Sequence, residues 1–177
     1  MGLIDDLIGD HRQVLELLGR AQAGEAGADS DAVDEAVRLL STHAAAEEMV
    51  LYPAARDLVP AGSVMVGGHL EEHGLVKGLL ATIERSSGPD RVVLVGSVLA
   101  YVRHHARHEE QVLLPALQRH ASDEQLADIG RAFTRAKAAA PTHPHPHAPN
   151  QPPGIFPAGA AAALIDRVRD AVSGRAR

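Results

Sequence analysis

The chain has 177 residues, which fits one ordinary domain with some excess length, and its formal charge is −6. Hydrophobic residues make up 45% but aromatic residues only 2%, so the core must be aliphatic, which suits helices better than a β-sandwich. The acidic balance argues against nucleic acid as the main partner, and the absence of cysteine excludes disulfides, thiolate zinc sites and iron–sulfur clusters.

Apolar residues recur at helical spacing in four long segments. The segments span about residues 3–23, 31–57, 63–85 and 92–120. Asp29 or Ser30 is the expected N-cap of the second segment, and Asp90 is that of the fourth. Pro53 lies inside the second segment or marks a kink in it. Four long amphipathic helices with short connections predict an all-α fold, an up-and-down four-helix bundle.

A shorter fifth helix is predicted from Ser122, which forms a capping box with Gln125, to about Lys137. The composition then changes, and the proline-dense stretch 141–157 predicts an extended linker. Residues 160–172 form a last amphipathic segment that can dock on the bundle or on a partner. We therefore divide the chain into a bundle, residues 1–138, and a C-terminal extension, residues 139–177.

The start of the chain shows no basic segment followed by an apolar run, so no signal peptide is visible. No stretch reaches 18 uncharged apolar residues, so no membrane span is predicted. The expectation is a cytoplasmic protein without a membrane partner. The sequence leaves the oligomeric state open.

The most informative feature is a histidine and carboxylate pattern that occurs twice, 62 residues apart. The first copy contains His11, His43, Glu47 and Pro53, and the second contains His73, His105, Glu109 and Pro115. Repeated apolar residues need only mean a repeated core, whereas a histidine four residues before a glutamate on two helices indicates a site built from two similar halves. Imidazole and carboxylate ligands together suit a borderline first-row metal such as iron.

Counting about 1.5 Å per residue from each turn places these side chains at similar depths, roughly 17 Å for both His11 and His43. Three i,i+4 pairs each share a helix face: His43 with Glu47, His69 with His73, and His105 with Glu109. A single inward histidine is usually a hydrogen-bonded core residue, but seven unpaired ionisable groups at one level are costly in an apolar bundle. A metal removes that cost, whereas a structural salt-bridge layer needs buried lysine or arginine, of which the candidate faces supply few.

The full series resembles the hemerythrin-like proteins, the group called HHE cation-binding domains, over about residues 3–120. The ligand order of that family is His, His-x3-Glu, His-x3-His, and then His with a downstream carboxylate. Here the order reads His11, His43-x3-Glu47, His69-x3-His73 and His105-x3-Glu109. Ferritin-like di-iron proteins match less well because they use a Glu-x-x-His spacing and more carboxylates.

The resemblance implies a bundle of hemerythrin type that holds two iron ions in an oxo- or hydroxo-bridged centre. The implied ligands are His69, His73 and His105 on one ion, His11 and His43 on the other, and Glu47 and Glu109 as bridges. The second ion would keep an open coordination position. Because the family binds or senses dioxygen, peroxide or nitric oxide, these small molecules are the implied partners.

Two departures from the oxygen-carrying hemerythrins matter. Their last carboxylate follows its histidine by five residues, whereas Glu109 follows His105 by four and Glu110 by five; the internal repeat favours Glu109. Those carriers also wall the oxygen pocket with aromatic residues. The walls expected here are leucines: Leu7, Leu15, Leu40, Leu51 and Leu113. This weakens the case for reversible oxygen carriage and leaves redox chemistry or sensing open.

Other polar residues are candidates for minor roles. Glu48 is rotated by about 100° from Glu47 and is expected to face solvent or to contact a ligand residue. Tyr52 and Tyr101 could hydrogen-bond a ligand residue or coordinate ferric iron, but core packing is favoured for both. The remaining histidines are interpreted as a ligand neighbour or surface residue (His108), as solvated (His104 and His120), or as part of a flexible linker (His143, His145 and His147).

The leading hypothesis is a non-haem di-iron protein that binds dioxygen or reacts with peroxide or nitric oxide, with catalase-like turnover left open. One alternative is an iron storage or sensing module that signals through the C-terminal segment. The other is a structural site for a single zinc or iron ion.

Overall fold

The computed structural model describes residues 2–24, 31–150 and Asp166, and within them it contains helices and no strand. The helical elements are α1 (Leu3–Gln22), α2 (Asp31–Ala46), a first π turn (Glu47–Leu51), α3 (Tyr52–Leu58), α4 (Gly62–Ile83), α5 (Gly88–His108), a second π turn (Glu109–Leu113), α6 (Leu114–His120) and α7 (Asp123–Ala139). The predicted all-α fold is confirmed. The predicted caps at Asp29 and Ser30 lie outside the described residues.

The long helices form a bundle in which α1 packs against α2 and α5, and α4 packs against α5. The fifth helix of the prediction is α7, which packs across α1, α2 and the first π turn. Its capping box is present: Ser122 Oγ accepts the Gln125 N–H at 3.2 Å, and Gln125 Oε1 accepts the Ser122 N–H at 2.8 Å. The prediction that Asp90 caps the fourth segment is wrong, because α5 begins two residues earlier with Ser87 as its N-cap.

Two π turns widen the long helices just before a proline. In the first, the Tyr52 N–H bonds to the carbonyl of Glu47, five residues earlier. Pro53 has no N–H, and its ring would clash with the carbonyl four residues before it, so the wider turn lets the helix continue. The second π turn repeats this arrangement before Pro115. Pro53 therefore lies inside a continuous helical run.

Two hydrophobic clusters fill the bundle, and the histidines of the repeat lie between them along each helix. On α1, for example, Leu3 and Leu7 belong to one cluster, Val14 and Leu18 belong to the other, and His11 is buried between the two pairs. The burial of aliphatic side chains stabilises the bundle on both sides of a polar layer. The core is thus divided by ionisable groups, as the counting of helix depth predicts.

The start of the C-terminal extension folds back onto the bundle. Residues 141–150 contain no helix or strand, but His143 and Pro144 are buried, and the His143 ring contacts the carboxylate of Glu84, the C-cap residue of α4. The amphipathic segment 160–172 lies outside the described residues except for Asp166, whose carboxylate accepts the His143 N–H at 3.0 Å. Every helix in the described part of the chain is too short or too polar to span a lipid bilayer.

Candidate metal centre

Two fully buried glutamates lie at the centre of the polar layer, one from each π turn. Glu47 Oε1 is 2.9 Å from His43 Nε2, and Glu47 Oε2 is 3.3 Å from His73 Nε2. The second glutamate repeats this arrangement: Glu109 Oε2 is 3.3 Å from Nε2 of His11 and 3.9 Å from Nε2 of His105. Each central carboxylate therefore lies between one imidazole from each half of the repeat.

The other ring nitrogen of these four histidines is held by a second carboxylate. The Nδ1 atoms lie 2.8 Å from Glu110 (His11), 3.1 Å from Asp10 (His43), 2.9 Å from Glu48 (His73) and 3.1 Å from Glu72 (His105). These contacts follow the repeat. His11 and His73 are equivalent, as are His43 and His105, and the carboxylates that they contact are equivalent in the same way. A carboxylate on Nδ1 fixes the ring and leaves the Nε2 lone pair toward the centre, the usual support of a metal-binding histidine.

Seven donor atoms in this layer are buried and form no well-aligned hydrogen bond, although several lie 2.9 to 3.9 Å from one another. They are Nε2 of His11, His43 and His105 and both carboxylate oxygens of Glu47 and Glu109. Buried polar atoms are rarely left without a partner, because their desolvation is then uncompensated. Nitrogen and oxygen lone pairs that converge at one level have the chemistry of a ligand set for first-row metal ions. The residues present therefore fit a metal centre.

His69 lies in the same layer but outside the symmetric group. Its Nδ1 is 3.3 Å from Nδ1 of His105, and its Nε2 is 3.2 Å from Nδ1 of His108. Burial, and then the neighbouring His105, lower the pKa of His69 to about 4, so the ring is neutral and can offer a lone pair. The structure thus brings all seven predicted ligand residues into one layer: the two central carboxylates, the four histidines around them, and His69.

Tyr52 packs in the hydrophobic core, as the sequence favours, and it also contacts the histidine layer. Its ring is fully buried and stacked on His69 with centroids 5.8 Å apart, and its Oη is 3.1 Å from Nε2 of His73. Burial, followed by the charges of Glu47 and other carboxylates, raises the pKa of this phenol well above its usual value. Tyr101 is 40% exposed, so the expectation that it packs in the core is wrong.

A cavity of about 30 Å³ adjoins the histidine layer. A water molecule needs roughly 10–15 Å³ in such a measure, so the cavity suits a molecule of a few atoms. Its apolar walls are Leu40, Val76, Leu80 and Val102. Ser41 and Lys77 also line it, and both are shared with a second cavity of about 40 Å³ that the segment 141–149 helps to enclose.

Of the five leucines predicted as pocket walls, Leu40 alone lines this cavity. Leu7, Leu51 and Leu113 are fully buried in the hydrophobic cluster that includes α3 and α7, and Leu15 packs against the other cluster. The wall prediction is otherwise wrong, because proximity along the helix to a ligand residue does not decide on which side of the layer space remains. Val76 and Leu80, on the turns after His73, fill the role instead.

The geometry agrees with the comparison to known proteins. A family model described as the hemerythrin HHE cation binding domain matches residues 2–117. The chain belongs to the hemerythrin HHE family. An uncharacterized hemerythrin-like protein of Schizosaccharomyces pombe (strain 972) is 34% identical over 134 residues, which is 74% of this chain and 66% of that protein. The chain thus spans about two thirds of the length of this relative, and no solved structure gives a significant match.

As a member of this family, the chain is a metal-cation-binding helical domain with a buried His and Glu cluster. In this HHE domain the sequence reasoning placed Glu48 either at the surface or against a ligand residue. The structure buries it completely, with Oε1 on His73 and both oxygens on Lys77. The signal in the sequence is the repeated Glu-Glu pair before each proline: the first π turn buries both of its carboxylates, and in the second Glu109 is buried and Glu110 partly exposed.

Proposed function

We propose that this HHE domain is a non-haem di-iron protein that binds or reacts with a small oxidant. The seven residues expected to hold two ions are His11, His43, Glu47, His69, His73, His105 and Glu109. The observation that carries the proposal is the set of seven buried donor atoms that face one another between two hydrophobic clusters without a well-aligned hydrogen bond. Glu47 and Glu109 would hold both ions, because each contacts histidines of both halves.

The protein's own residues define what can reach the centre. When bound, the iron ions supply redox chemistry with dioxygen, hydrogen peroxide or nitric oxide. The small cavity beside His11, His43, His73 and His105 limits the partner to a molecule of a few atoms and surrounds it with aliphatic walls. Ser41 is the polar side chain of this wall whose buried hydroxyl has no hydrogen-bond partner, so it is available to the small molecule.

Metal analysis of the aerobically purified protein, with an optical spectrum, tests the proposal. We expect two irons per chain and an absorption band in the near ultraviolet that His73→Ala reduces together with the iron content. His120→Ala is the matched control, because His120 is exposed and lies outside the layer. One zinc per chain, or full iron content in His73→Ala, would contradict the assignment.

The position of the C-terminal extension favours a second candidate function, iron storage or sensing. Residues 141–149 line a cavity that shares Ser41 and Lys77 with the inner one, so a change at the centre can reach the extension through shared walls. Peroxide added to the iron form separates the candidates. Oxygen release supports a peroxide-consuming enzyme, whereas no turnover with metal-dependent protection of residues 141–149 from hydrogen exchange supports sensing.

A further inference from the structure

The repeat makes Glu48 and Glu110 equivalent, yet their surroundings differ. Each carboxylate accepts a hydrogen bond from the Nδ1 atom of a predicted ligand histidine: Glu48 from His73 at 2.9 Å, and Glu110 from His11 at 2.8 Å. The Glu48 side chain is 0% exposed, whereas that of Glu110 is 32% exposed. The other equivalent pair shows no such contrast, because each of its carboxylates has a further partner: Asp10 contacts Lys137 and Glu72 contacts His104.

Lys77 is the source of the difference. Its Nζ lies 2.7 and 2.6 Å from the two oxygens of Glu48, and the lysine side chain is itself mostly buried. Position 15, the equivalent of Lys77 in the first half, is Leu15. Among the described residues no lysine or arginine forms an ion pair with Glu110.

As a consequence, Glu48 is a rigid hydrogen-bond acceptor for His73, whereas Glu110 is a solvated acceptor for His11. A buried carboxylate is costly unless a cation compensates it, and Lys77 keeps the charge of Glu48 in place against His73. Water screens Glu110, so its hold on the ring of His11 is weaker. Outer carboxylates of this kind raise the basicity and fix the orientation of a metal-binding imidazole.

We infer that Glu48 and Lys77 are a positioning pair that strengthens metal binding at the position served by His73 and leaves the position served by His11 unaffected. This inference rests on the proposed two-metal function. It assigns the pair a contribution separate from that of His69, the extra imidazole in the same half. It also implies that Glu110, the equivalent carboxylate, contributes less to metal affinity at the position served by His11.

Stepwise titration of the metal-free protein with Co²⁺, followed by its visible absorption bands, tests the inference. His73→Ala and His11→Ala first identify which binding step belongs to which position. We expect Glu48→Gln to weaken the His73 step by about 10–100-fold and to shift its bands, with the His11 step unchanged. Glu110→Gln should weaken only the His11 step, and by less. The inference would be overturned if Glu48→Gln and Glu110→Gln weakened the same binding step equally, or if Glu48→Gln left the affinity of both steps unchanged.

Lys77 provides a second, independent comparison. Lys77→Met should weaken the same step as Glu48→Gln, and Lys77→Arg should restore it. If the buried, uncompensated charge of Glu48 unfolds Lys77→Met, the double variant Glu48→Gln/Lys77→Met can be titrated instead, because it contains no isolated charge. We expect its loss of metal affinity to match that of Glu48→Gln. If the double variant binds metal with wild-type affinity, the positioning role of Glu48 and Lys77 is wrong but the proposed function stands. If the wild-type protein takes up fewer than two ions, both the positioning role and the proposed function are wrong.

Discussion

His69 and Leu7 occupy equivalent positions in the two halves of the repeat, 62 residues apart, and both side chains are buried, 1% and 0% exposed. At this position the second half adds a fifth imidazole next to His105, where the first half has an aliphatic side chain. An apolar side chain is already accommodated at the equivalent position of the first half. The fold does not require a histidine at position 69, so its presence points to ligand binding.

His69→Leu should therefore weaken the binding of one of the two ions without loss of the fold. Leucine replaces a buried neutral imidazole, so the free energy of unfolding of the metal-free protein should stay the same or rise slightly. The affinity for one of the two ions should fall by more than the roughly 10–100-fold that follows loss of an outer partner. Metal titration and urea unfolding measure both effects, with His120→Leu as the control. Two ions bound at wild-type affinity would show that His69 is only a core residue.

Metal uptake should release protons, because the metal-free site holds them. Burial disfavours the imidazolium of His43, but the charge of Glu47 and close contacts with Asp10 and Glu47 raise its pKa to about 10. Burial likewise opposes the charge of His73, but its close contacts with the carboxylates of Glu47 and Glu48 raise its pKa to about 9. Both rings are thus protonated in the metal-free protein at pH 7.5, and metal binding requires neutral imidazole.

We expect the release of about two protons per chain when metal-free protein takes up its ions at pH 7.5. Calorimetric titration in two buffers of different ionisation enthalpy measures this number. Both histidines have a higher pKa in the folded protein than the value near 6.5 in the unfolded chain. Their protonated rings therefore stabilise the folded protein fully below about pH 6.5, and this stabilisation is lost as the pH rises toward about 10. The metal-free protein should therefore become easier to unfold over this range, and a constant stability with no proton release would refute the assignment.

Tyr52→Phe tests whether the phenol oxygen acts at the metal centre. The ring stays in place, so the fold should persist, with a loss of about 1 kcal/mol in the metal-free protein for the contact between Oη and His73. The optical spectrum of the iron-loaded protein should change, because the oxygen touches the nitrogen of His73 that faces the centre. Tyr101→Phe is the control, since Tyr101 is 40% exposed. Identical spectra for Tyr52→Phe and wild type would exclude such a role.

The polar layer could be predicted from the sequence because depth along a helix follows from counting residues. The repeat of His11, His43 and Glu47 and a rise of about 1.5 Å per residue place the side chains at one level whatever the details of packing. Apolar periodicity and the turn residues between segments predicted the bounds of the helices to within a few residues. A period of 3.6 residues, however, assumes an uninterrupted α-helix.

The π turns are what this assumption missed. On an ideal helix Tyr52 lies about 180° from His43, and Glu48 is turned away from Glu47. The five-residue turn before Pro53 changes that rotation, so the phenol and the second carboxylate both face the site. A proline in a helical pattern indicates a disturbance but does not say whether the helix ends, bends or widens. The packing of residues 141–149 depends on contacts with α2 and α4, which no local pattern encodes.

The turn between α3 and α4 predicts a stabilising substitution. Ala61 has φ of 60°, in the left-handed region, which costs a residue with a Cβ about 1–2 kcal/mol. Ala61→Gly should raise the free energy of unfolding by about 1 kcal/mol, since the greater freedom of glycine in the unfolded chain offsets part of the gain. Gly62→Ala should do the opposite, because its Cβ would lie 2.2 Å from the Ala55 carbonyl oxygen. Urea unfolding compares the two, and a less stable Ala61→Gly variant would contradict the reasoning.

Ser41 should contribute to ligand binding and hardly at all to stability. Its hydroxyl is buried and has no hydrogen-bond partner, whereas the adjacent Thr42 donates to the carbonyl of Leu39 at 3.0 Å within its own helix. Ser41→Ala therefore loses no hydrogen bond of the protein, and its free energy of unfolding should remain close to that of the wild type. If the hydroxyl donates to the small molecule in the cavity, azide should bind the iron-loaded variant about fivefold more weakly. Optical titration with azide measures this change, and Ser41→Thr, which keeps the hydroxyl, should retain most of the affinity. Equal azide affinity in wild type and Ser41→Ala would mean that the hydroxyl takes no part in binding.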